Sequence, residues 1–273
     1  MEKIGVNIKI PYLCRMDIQP IAHFESPLKS KFGIPRQSGL VEELTGRIVF
    51  EKPFRQPEAV RGLESFDYLW LIWEFSANHK AQSSSQSEAA KPSAKLKVQS
   101  LTVRPPRLGG NRRIGVFASR SPFRPNPLGL SCVRIDRVEE DRQLGPVIYV
   151  RGADLMDGTP IYDIKPYVTY ADAHPEARSG FVDEKQWEPL HVEIPDKLAV
   201  EIPAQHLEAL KATLAQDPRP AFHDDPERTY GMPFLNMDVR FRVKDGVLTV
   251  AELVGTPKVG SRLVDDDAVE TQQ

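Results

Sequence analysis

The densest group of side chains suited to binding chemistry lies between Leu101 and Arg137. This segment holds eight arginines, no lysine and a single acid, Asp136; the arginines are Arg104, Arg107, Arg112, Arg113, Arg120, Arg124, Arg134 and Arg137. A planar guanidinium group binds phosphate and carboxylate through paired hydrogen bonds, whereas lysine offers a point charge. The cluster therefore predicts contacts to anionic groups, and for any single arginine a solvated surface with local ion pairs is the alternative.

The same segment is rich in residues that interrupt regular structure. It contains Pro105, Pro106, Gly109, Gly110, Pro122, Pro125 and Pro127. Proline fixes φ and removes a backbone donor, so much of the segment must be ordered loop and not helix. Binding sites are commonly built from loops of this kind on a rigid scaffold.

Composition limits the other classes of function. The 273 residues carry a net charge of -2, which excludes a broadly polybasic nucleic-acid binder, so any contact to RNA must be local. The two cysteines, Cys14 and Cys132, cannot form a disulfide framework, and no His or Cys spacing predicts a metal site. The densest apolar run, Tyr68 to Phe75, is too short to cross a bilayer, so we expect a soluble, cytoplasmic protein without a metal.

Hydrophobic patterning predicts a mainly β protein. Short strands are expected at Ile18–Phe24, Gly46–Phe50, Asp67–Phe75, Gly115–Ser119, Leu128–Val138, Val147–Gly152 and Thr159–Val168, separated by proline and glycine. Many short strands with few helices indicate a barrel or a sandwich. In the strand around Tyr68, Trp70 and Trp73, apolar groups fall on both faces, which favours a core or a dimer interface over base stacking.

The chain divides into a larger and a smaller region. Residues 17–175 are predicted to form the barrel domain, with a mobile Ser, Gln and Lys-rich insertion at about 79–100. Residues 195–260 are predicted to form a smaller α+β domain, and residues 261–273 a disordered tail. Within the smaller domain we expect a strand at Leu198–Ile202, a helix after Pro203 and a hairpin that turns at Asp245-Gly246.

Several long motifs resemble one family. They are Pro35 to Gln37 (PRQ), Ala59 to Glu64 (AVRGLE), Thr102 to Gly110 (TVRPPRLGG), Arg113 to Gly129 (RIGVFASRSPFRPNPLG), Asp154 to Pro160 (DLMDGTP) and Asp163 to Tyr167 (DIKPY). Their order and spacing resemble the TsaA/TrmO family from Ile18 to Asp172, and LAQDPRPA at Leu214 to Ala221 resembles its bacterial C-terminal extension. The chain lacks the Gly-rich turn of doubly wound methyltransferases, so the cofactor is implied by this resemblance alone.

The resemblance implies a homodimeric enzyme with a single-sheet β-barrel and a smaller α+β C-terminal domain that assists tRNA binding. The implied activity is S-adenosylmethionine-dependent N6-methylation of N6-threonylcarbamoyladenosine at position 37, in the anticodon loop of threonine tRNA. The alternatives are a non-catalytic barrel that binds S-adenosylmethionine or RNA, and an enzyme that acts on a small molecule or a protein.

Carried over residue by residue, the resemblance places the cofactor site on Pro35, Arg36, Gln37, Ser76, Ala77, Arg120, Leu130, Asp154, Leu155, Met156 and Asp157. Arginine suits a carboxylate, amide and carboxylate groups suit ribose and adenine edges, and apolar side chains suit adenine faces. The chain departs from the family at Ser76-Ala77, where many members have a His-Gln or His-Glu pair. For Asp154 and Asp157, a turn cap before Gly158 is the alternative.

The remaining site predictions concern the substrate. Arg104, Arg107, Arg113, Gln216, Asp217 and Arg219 are expected to contact tRNA, with a local Asp217–Arg219 ion pair as the alternative for that pair. We expect the amide oxygen of Asn126, or a neighbouring carbonyl, to accept a hydrogen bond from the N6–H group, and Arg124 to hold phosphate or the threonyl carboxylate. For Asn126 the alternative is a turn former between two prolines.

Overall fold

The computed structural model describes residues 18–76, 101–105, 112–184, 188–219 and 225–255. The segments predicted as a mobile insertion (79–100) and a disordered tail (261–273) lie outside the described residues. No helix in the described ranges is long and apolar enough to cross a membrane.

Six antiparallel strands close into a single-sheet barrel, which confirms the predicted fold. The strands are β1 (Ala22–Glu25), β2 (Thr45–Phe50), β3 (Tyr68–Glu74), β6 (Leu128–Asp141), β7 (Gly145–Arg151) and β8 (Thr159–Pro166). Their order is β1-β2-β7-β6-β3-β8, and β8 pairs with β1 to close the ring. Two further strands, β4 (Thr102–Val103) and β5 (Ile114–Gly115), form a separate ribbon.

Strand β3 shows how alternation fills the barrel. Leu69, Leu71 and Trp73 point inward and are buried, whereas Tyr68 and Trp70 point outward. The period of two along a strand sends alternate side chains to opposite faces. The interior of the barrel is therefore packed with side chains, as the interleaved apolar pattern indicated.

The smaller unit is an α+β arrangement. A four-stranded sheet has the order β10-β11-β12-β9, in which β9 runs parallel to β12. Its elements, with a short helix α1 (Thr169–Asp172) before them, are β9 (His191–Glu193), α2 (Asp196–Ala199), α3 (Ala204–Ala215), β10 (Tyr230–Phe234), β11 (Met237–Lys244) and β12 (Val247–Val254). The hairpin at Asp245-Gly246 is confirmed, and both residues have the positive φ that a two-residue turn requires.

Two predicted strands are wrong. At Gly115–Ser119 only the first residue belongs to β5, and Val116–Ala118 forms a 3₁₀ turn that the Ser119 hydroxyl closes by donating to the Val116 carbonyl. At Leu198–Ile202 the chain forms the end of helix α2 and a turn. Leu198 and Ile202, four residues apart, are both buried, which is the helical spacing and not the alternation of a strand.

The β1–β2 connection contributes side chains to the core of the C-terminal unit, which is separate from the barrel core. Leu28, Val41 and Leu44, from the connection between β1 and β2, are buried in the cluster built mainly by the C-terminal unit. Leu28 also forms a β-bridge with Phe234, and the Leu235 amide donates to the Pro27 carbonyl at 2.7 Å. The β1–β2 connection therefore ties the open end of the barrel to the C-terminal sheet.

Candidate active site

A cavity of about 740 Å³ opens where five parts of the chain meet. They are the β1–β2 connection, the end of β3, the loop that carries Arg120 and Arg124, the start of β6 and the β7–β8 connection. Ligand pockets for small molecules have volumes of about 300–1,000 Å³. The cavity is thus of the size expected for a nucleoside-sized cofactor together with a reacting group.

Most of the predicted cofactor residues line this one cavity. Those that do are Pro35, Arg36, Gln37, Ser76, Arg120, Leu130, Asp154 and Met156. Ala77 lies outside the described residues. The predicted catalytic residues Asn126 and Arg124 line the same cavity, so segments separated by more than a hundred residues converge on it.

Leu155 and Asp157 do not line the cavity. Leu155 is fully buried in the barrel core, because its side chain alternates with those of its neighbours. Asp157 accepts a hydrogen bond from the Ser26 amide at 2.9 Å and pairs with Lys29 at 2.9 Å. Its carboxylate therefore fastens the β7–β8 connection to the β1–β2 connection, a different role from the predicted ligand contact and close to the turn-shaping alternative.

A chain of polar contacts crosses the cavity. Arg120 donates through Nη1 to the amide oxygen of Gln37, and the Gln37 amide nitrogen donates to the Arg36 carbonyl at 2.6 Å. The contact joins the arginine-rich loop to the β1–β2 connection. Arg36 and Arg120 both line this cavity, which is a suitable arrangement for an anionic group of a ligand.

A buried hydrogen-bond network lies deeper in the cavity. The Trp73 indole N–H donates to the Ser131 hydroxyl at 2.9 Å, and this hydroxyl donates to Oδ1 of Asp154 at 2.5 Å. Burial raises the pKa of the Asp154 carboxyl, while the hydrogen bond from Ser131 and the charge of Arg120 act in the opposite direction. The network fixes the carboxylate that faces the cavity.

The loop before β6 positions Arg124 and Asn126. Arg124 donates to the Ser119 carbonyl at 3.1 Å, which folds the loop back on itself and leaves the guanidinium on the cavity wall. The backbone carbonyls of Asn126 and Pro127 accept hydrogen bonds from Leu128 and Phe75, at 2.7 and 2.9 Å. Because these carbonyls are engaged, the side-chain amide of Asn126 is the better candidate for an acceptor.

Sequence reasoning missed several residues of the cavity. Trp73, for which the sequence favours a core or a dimer interface, is buried in the barrel core and also lines the cavity, and so do Glu74, Phe117 and Lys31, which the sequence does not single out. Tyr162 donates to Glu74 at 2.5 Å, and burial together with this carboxylate raises the pKa of Tyr162 to about 12. The signal that could have found Glu74 is a lone acid at the end of an otherwise apolar strand.

The predicted tRNA contacts fall into two groups. Arg104 and Arg113 lie on or beside the β4–β5 ribbon, where Arg113 donates to the Thr102 hydroxyl at 2.9 Å, and neither lines the cavity. Arg107 lies outside the described residues. Gln216, Asp217 and Arg219 line a second, smaller cavity of about 210 Å³.

Asp217 and Arg219 form the local pair that the sequence left open. The guanidinium donates to both carboxylate oxygens, at 2.8 and 2.9 Å, and Asp217 has a φ of 50°. Such left-handed backbone is uncommon outside glycine, although aspartate tolerates it. In the described part of the chain no group of three His, Cys, Asp or Glu side chains could hold a metal ion.

Comparison with known proteins agrees with this architecture. Residues 23–173 match the model of the tRNA-methyltransferase O N-terminal domain, and residues 188–256 match that of the TrmO C-terminal domain. The tRNA (adenine(37)-N6)-methyltransferase of Escherichia coli is 36% identical over 247 residues, covering 86% of this chain and 96% of the relative. A putative S-adenosylmethionine-dependent methyltransferase, RcsF of Pseudomonas aeruginosa, is 37% identical over 255 residues, covering 87% and 97%.

A solved structure shares the fold. The crystal structure of TrmO from P. aeruginosa superposes with a TM-score of 0.67 at 32% identity, over 89% of this chain and 99% of that chain. The chain is therefore of the single-sheet barrel class of methyltransferases and belongs to the tRNA-methyltransferase O (TrmO) family. The resemblance inferred from the motifs is confirmed.

Proposed function

We propose that this protein methylates N6 of N6-threonylcarbamoyladenosine at position 37 of threonine tRNA, with S-adenosylmethionine as methyl donor. Family membership and the names of its relatives support an S-adenosylmethionine-dependent tRNA methyltransferase that acts on adenine 37. The observation that carries the proposal is the convergence of Arg36, Arg120, Arg124 and Asn126 on one cavity.

The groups around the cavity fit the donor. Arg36 and Arg120 are suited to the amino-acid carboxylate of S-adenosylmethionine, and Gln37 and Asp154 are suited to its hydroxyl and amino groups. Leu130 and Met156 offer apolar surface for the adenine ring. When bound, the donor supplies a methyl group that is already activated by a positively charged sulfur.

The protein contributes mainly orientation. A displacement at an activated methyl carbon is accelerated when both reactants are held in line, and this can provide much of the rate enhancement. Proline-containing loops and the end of the barrel form the walls that would hold them, and proline restricts the backbone of those loops. Asp154, fixed by Ser131, places negative charge in the cavity for a cationic donor.

The remaining task falls on the substrate nitrogen. The lone pair of an exocyclic N6 is delocalised into the purine ring, so an acceptor aimed at its proton increases the nitrogen character that faces the methyl group. The amide oxygen of Asn126 is our candidate for this acceptor, and Arg124 our candidate for holding an anionic group of the RNA. Bases in an anticodon loop can be presented without melting a duplex.

The protein is also proposed to act in the cytoplasm as a homodimer. The outer face of β3 and β6 exposes large apolar side chains, among them Tyr68, Leu128 and Leu130, the last of which is 56% exposed. Contiguous exposed apolar surface is typical of protein interfaces. Light scattering coupled to gel filtration should give twice the chain mass, and substitution of Tyr68, which lies outside both cavities, by Asp should give a monomer.

The decisive experiment measures modified nucleosides. Threonine tRNA from a strain that lacks the gene should lose the methylated threonylcarbamoyl nucleoside in mass spectrometry, and expression of the protein should restore it. Purified protein should transfer labelled methyl groups to threonylcarbamoylated tRNA and not to the matching transcript with plain adenosine. Calorimetric binding of S-adenosylmethionine without any methylated product would instead identify a non-catalytic barrel.

A further inference from the structure

The second cavity adjoins the first and shares part of its wall. Lys31, Ile34 and Arg36 line both, so a single segment of the β1–β2 connection separates them. The opposite wall of the second cavity comes from the end of α3 and the residues after it, Gln216 to Arg219. A group that projects from a molecule in the first cavity can therefore continue into the second.

The charge around the second cavity favours an anion. Three cations, Lys31, Arg36 and Arg219, line it with one carboxylate, Asp217, which already forms a two-point pair with Arg219. The C-terminal end of α3 also points its partial negative charge toward this region. Three cations and one carboxylate give the lining residues a formal charge of +2, which exceeds the partial charge of about -0.5 at a helix C-terminus.

Both walls are fixed before any ligand arrives. Gly33 has a φ of 90°, and a Cβ atom there would come within 2.2 Å of the Met232 sulfur, so only glycine allows this close packing of the β1–β2 connection on the C-terminal sheet. On the other side, Asp217 holds Arg219 through its side chain and accepts from the Arg219 amide at 3.3 Å. Strained or close-packed backbone of this kind occurs at sites where pre-organisation is needed.

We infer that the second cavity receives the carboxylate of the amino-acid substituent on the target adenine. The inference rests on the proposed function, because it requires the adenine N6 to be held in the first cavity. A substituent on N6 must leave the first cavity through an adjoining space, and a volume of about 210 Å³ suits one amino-acid-sized group and not a second nucleoside. Lys31 and Gln216 would then act as specificity determinants for modified over plain adenine.

A backbone phosphate of the tRNA presents the same anionic chemistry, so the experiment must separate these two sources. Synthetic anticodon stem-loops would carry threonylcarbamoyladenosine at the target position, either with the free carboxylate or with its methyl ester. All phosphates are the same in both loops. Initial rates give kcat/KM for each, and fluorescence anisotropy without methyl donor gives each Kd.

For the parent protein we expect kcat/KM to be at least about tenfold higher for the free acid than for the ester, the size of one charge-assisted hydrogen bond. Lys31→Ala should bring this ratio close to one, and should weaken binding of the acid more than that of the ester. Lys211→Ala, which removes an exposed lysine of α3 outside both cavities, should keep the parent ratio.

Two results would overturn the inference. If the parent protein has the same kcat/KM for the acid and the ester, no protein group recognises the carboxylate. If Lys31→Ala lowers both substrates by the same factor, the cation binds a phosphate. A parent protein that methylates neither loop would refute the proposed function itself, which is a separate outcome because binding of the two loops can still be compared by anisotropy.

Discussion

At the scale of single residues, the site depends on polar groups whose partners are already arranged. Ser131 is the clearest case, because its hydroxyl accepts from Trp73 and donates to Asp154 while being almost completely buried. Buried polar groups are costly unless they are hydrogen-bonded, so a satisfied network of this kind defines one geometry. Ser131, which does not line the cavity, thus holds Trp73 and Asp154, which do.

Asn126→Ala tests the acceptor proposed for N6. We expect kcat to fall by about 100-fold or more, because a hydrogen bond to the N6–H group that stabilises the transition state is lost, while the Kd for S-adenosylmethionine stays within about twofold. A methyl-transfer assay gives kcat, and calorimetry gives the Kd for S-adenosylmethionine. Asn236→Ala, in the turn between β10 and β11, is the matched control and should change neither. Equal losses of turnover and cofactor affinity would indicate that Asn126 only shapes the loop.

Asp154→Asn should separate stability from function. Burial raises the folded-state pKa of this carboxyl above its ordinary value of 3.8, so its stabilising contribution is present below that value and is lost as the pH rises through the folded pKa. This carboxyl therefore contributes less to stability at neutral pH than in acid. The variant should melt at a higher temperature than the parent at neutral pH, with the difference shrinking on acidification, and should bind S-adenosylmethionine at least about tenfold more weakly.

Scanning calorimetry across this pH range provides the test. Asp163→Asn, which removes an exposed carboxylate paired with Lys165 on the same barrel, is the control and should show no such trend. A lower melting temperature for Asp154→Asn at neutral pH would show that the hydrogen bond from Ser131 outweighs the cost of burying the charge.

At the scale of elements, strand β6 begins at a point of very close packing. A Cβ atom on Gly129 would lie 2.2 Å from the Trp73 ring on the neighbouring strand, so glycine is required for the two strands to pair with this side chain between them. The same contact directs the Trp73 indole to Ser131. The pairing of β3 with β6 therefore positions the Trp73 side chain that lines the cavity.

Gly129→Ala should consequently damage both the barrel and the site. We expect a loss of about 1–3 kcal/mol in the free energy of unfolding, from overpacking, together with weakened cofactor binding as Trp73 moves. Urea denaturation and calorimetry measure these effects. Gly115→Ala is the matched control, because its φ is -60° and a Cβ atom there has no neighbour within 4 Å. Similar behaviour of the two variants would contradict this account of Gly129.

At the scale of the whole molecule, the β1–β2 connection joins the two units. It contributes Leu28 to the C-terminal core and Lys31 and Arg36 to the two cavities. A core shared in this way makes the barrel and the C-terminal unit depend on each other. The position of the cavity-lining cations is accordingly fixed by packing on the far side of the connection.

Leu28→Ala should destabilise the protein by about 2–5 kcal/mol, the usual cost of a cavity in a close-packed core. The loss should be accompanied by weaker discrimination between acid and ester substrates, since Lys31 follows only three residues later. Chemical denaturation measures the first effect. Leu40→Ala alters an exposed leucine of the same connection and should be nearly neutral. An equally small effect at Leu28 would show that the C-terminal unit does not need this anchor.

The distribution of charge predicts a salt-dependent interaction with tRNA. Although the net charge is -2, the loop from Arg112 to Pro127 carries four arginines and no acid, so binding should release counterions. With about four phosphate contacts, the logarithm of the affinity should fall with the logarithm of salt concentration at a slope of roughly -3. Arg124→Gln should reduce the magnitude of this slope by about one, the change expected for the loss of one phosphate contact. Binding that is insensitive to salt would show that the arginine loops do not contact the RNA.

The sequence by itself determined the mainly β class, and its motifs carried the resemblance that identified the family and several of the cavity-lining residues. Alternating apolar residues specify strands, and proline, glycine and arginine at fixed spacings are local features that can be read along one dimension. The resemblance carried by these motifs implied Arg36, Gln37, Arg120 and Met156 as site residues, and all of them line the cavity. The hairpin at Asp245-Gly246 was predicted from the local pattern of residues.

Other features were decided only by tertiary structure. Leu155 and Asp157 lie within a predicted binding motif, yet neither lines the cavity. Leu155 packs in the barrel core, and Asp157 forms an ion pair with Lys29. The helical turn at Leu198 and the inclusion of Leu28 in the C-terminal core likewise depend on partners far along the chain. Side-chain direction is set by which surfaces close on each other, and the second cavity exists only because two such surfaces meet.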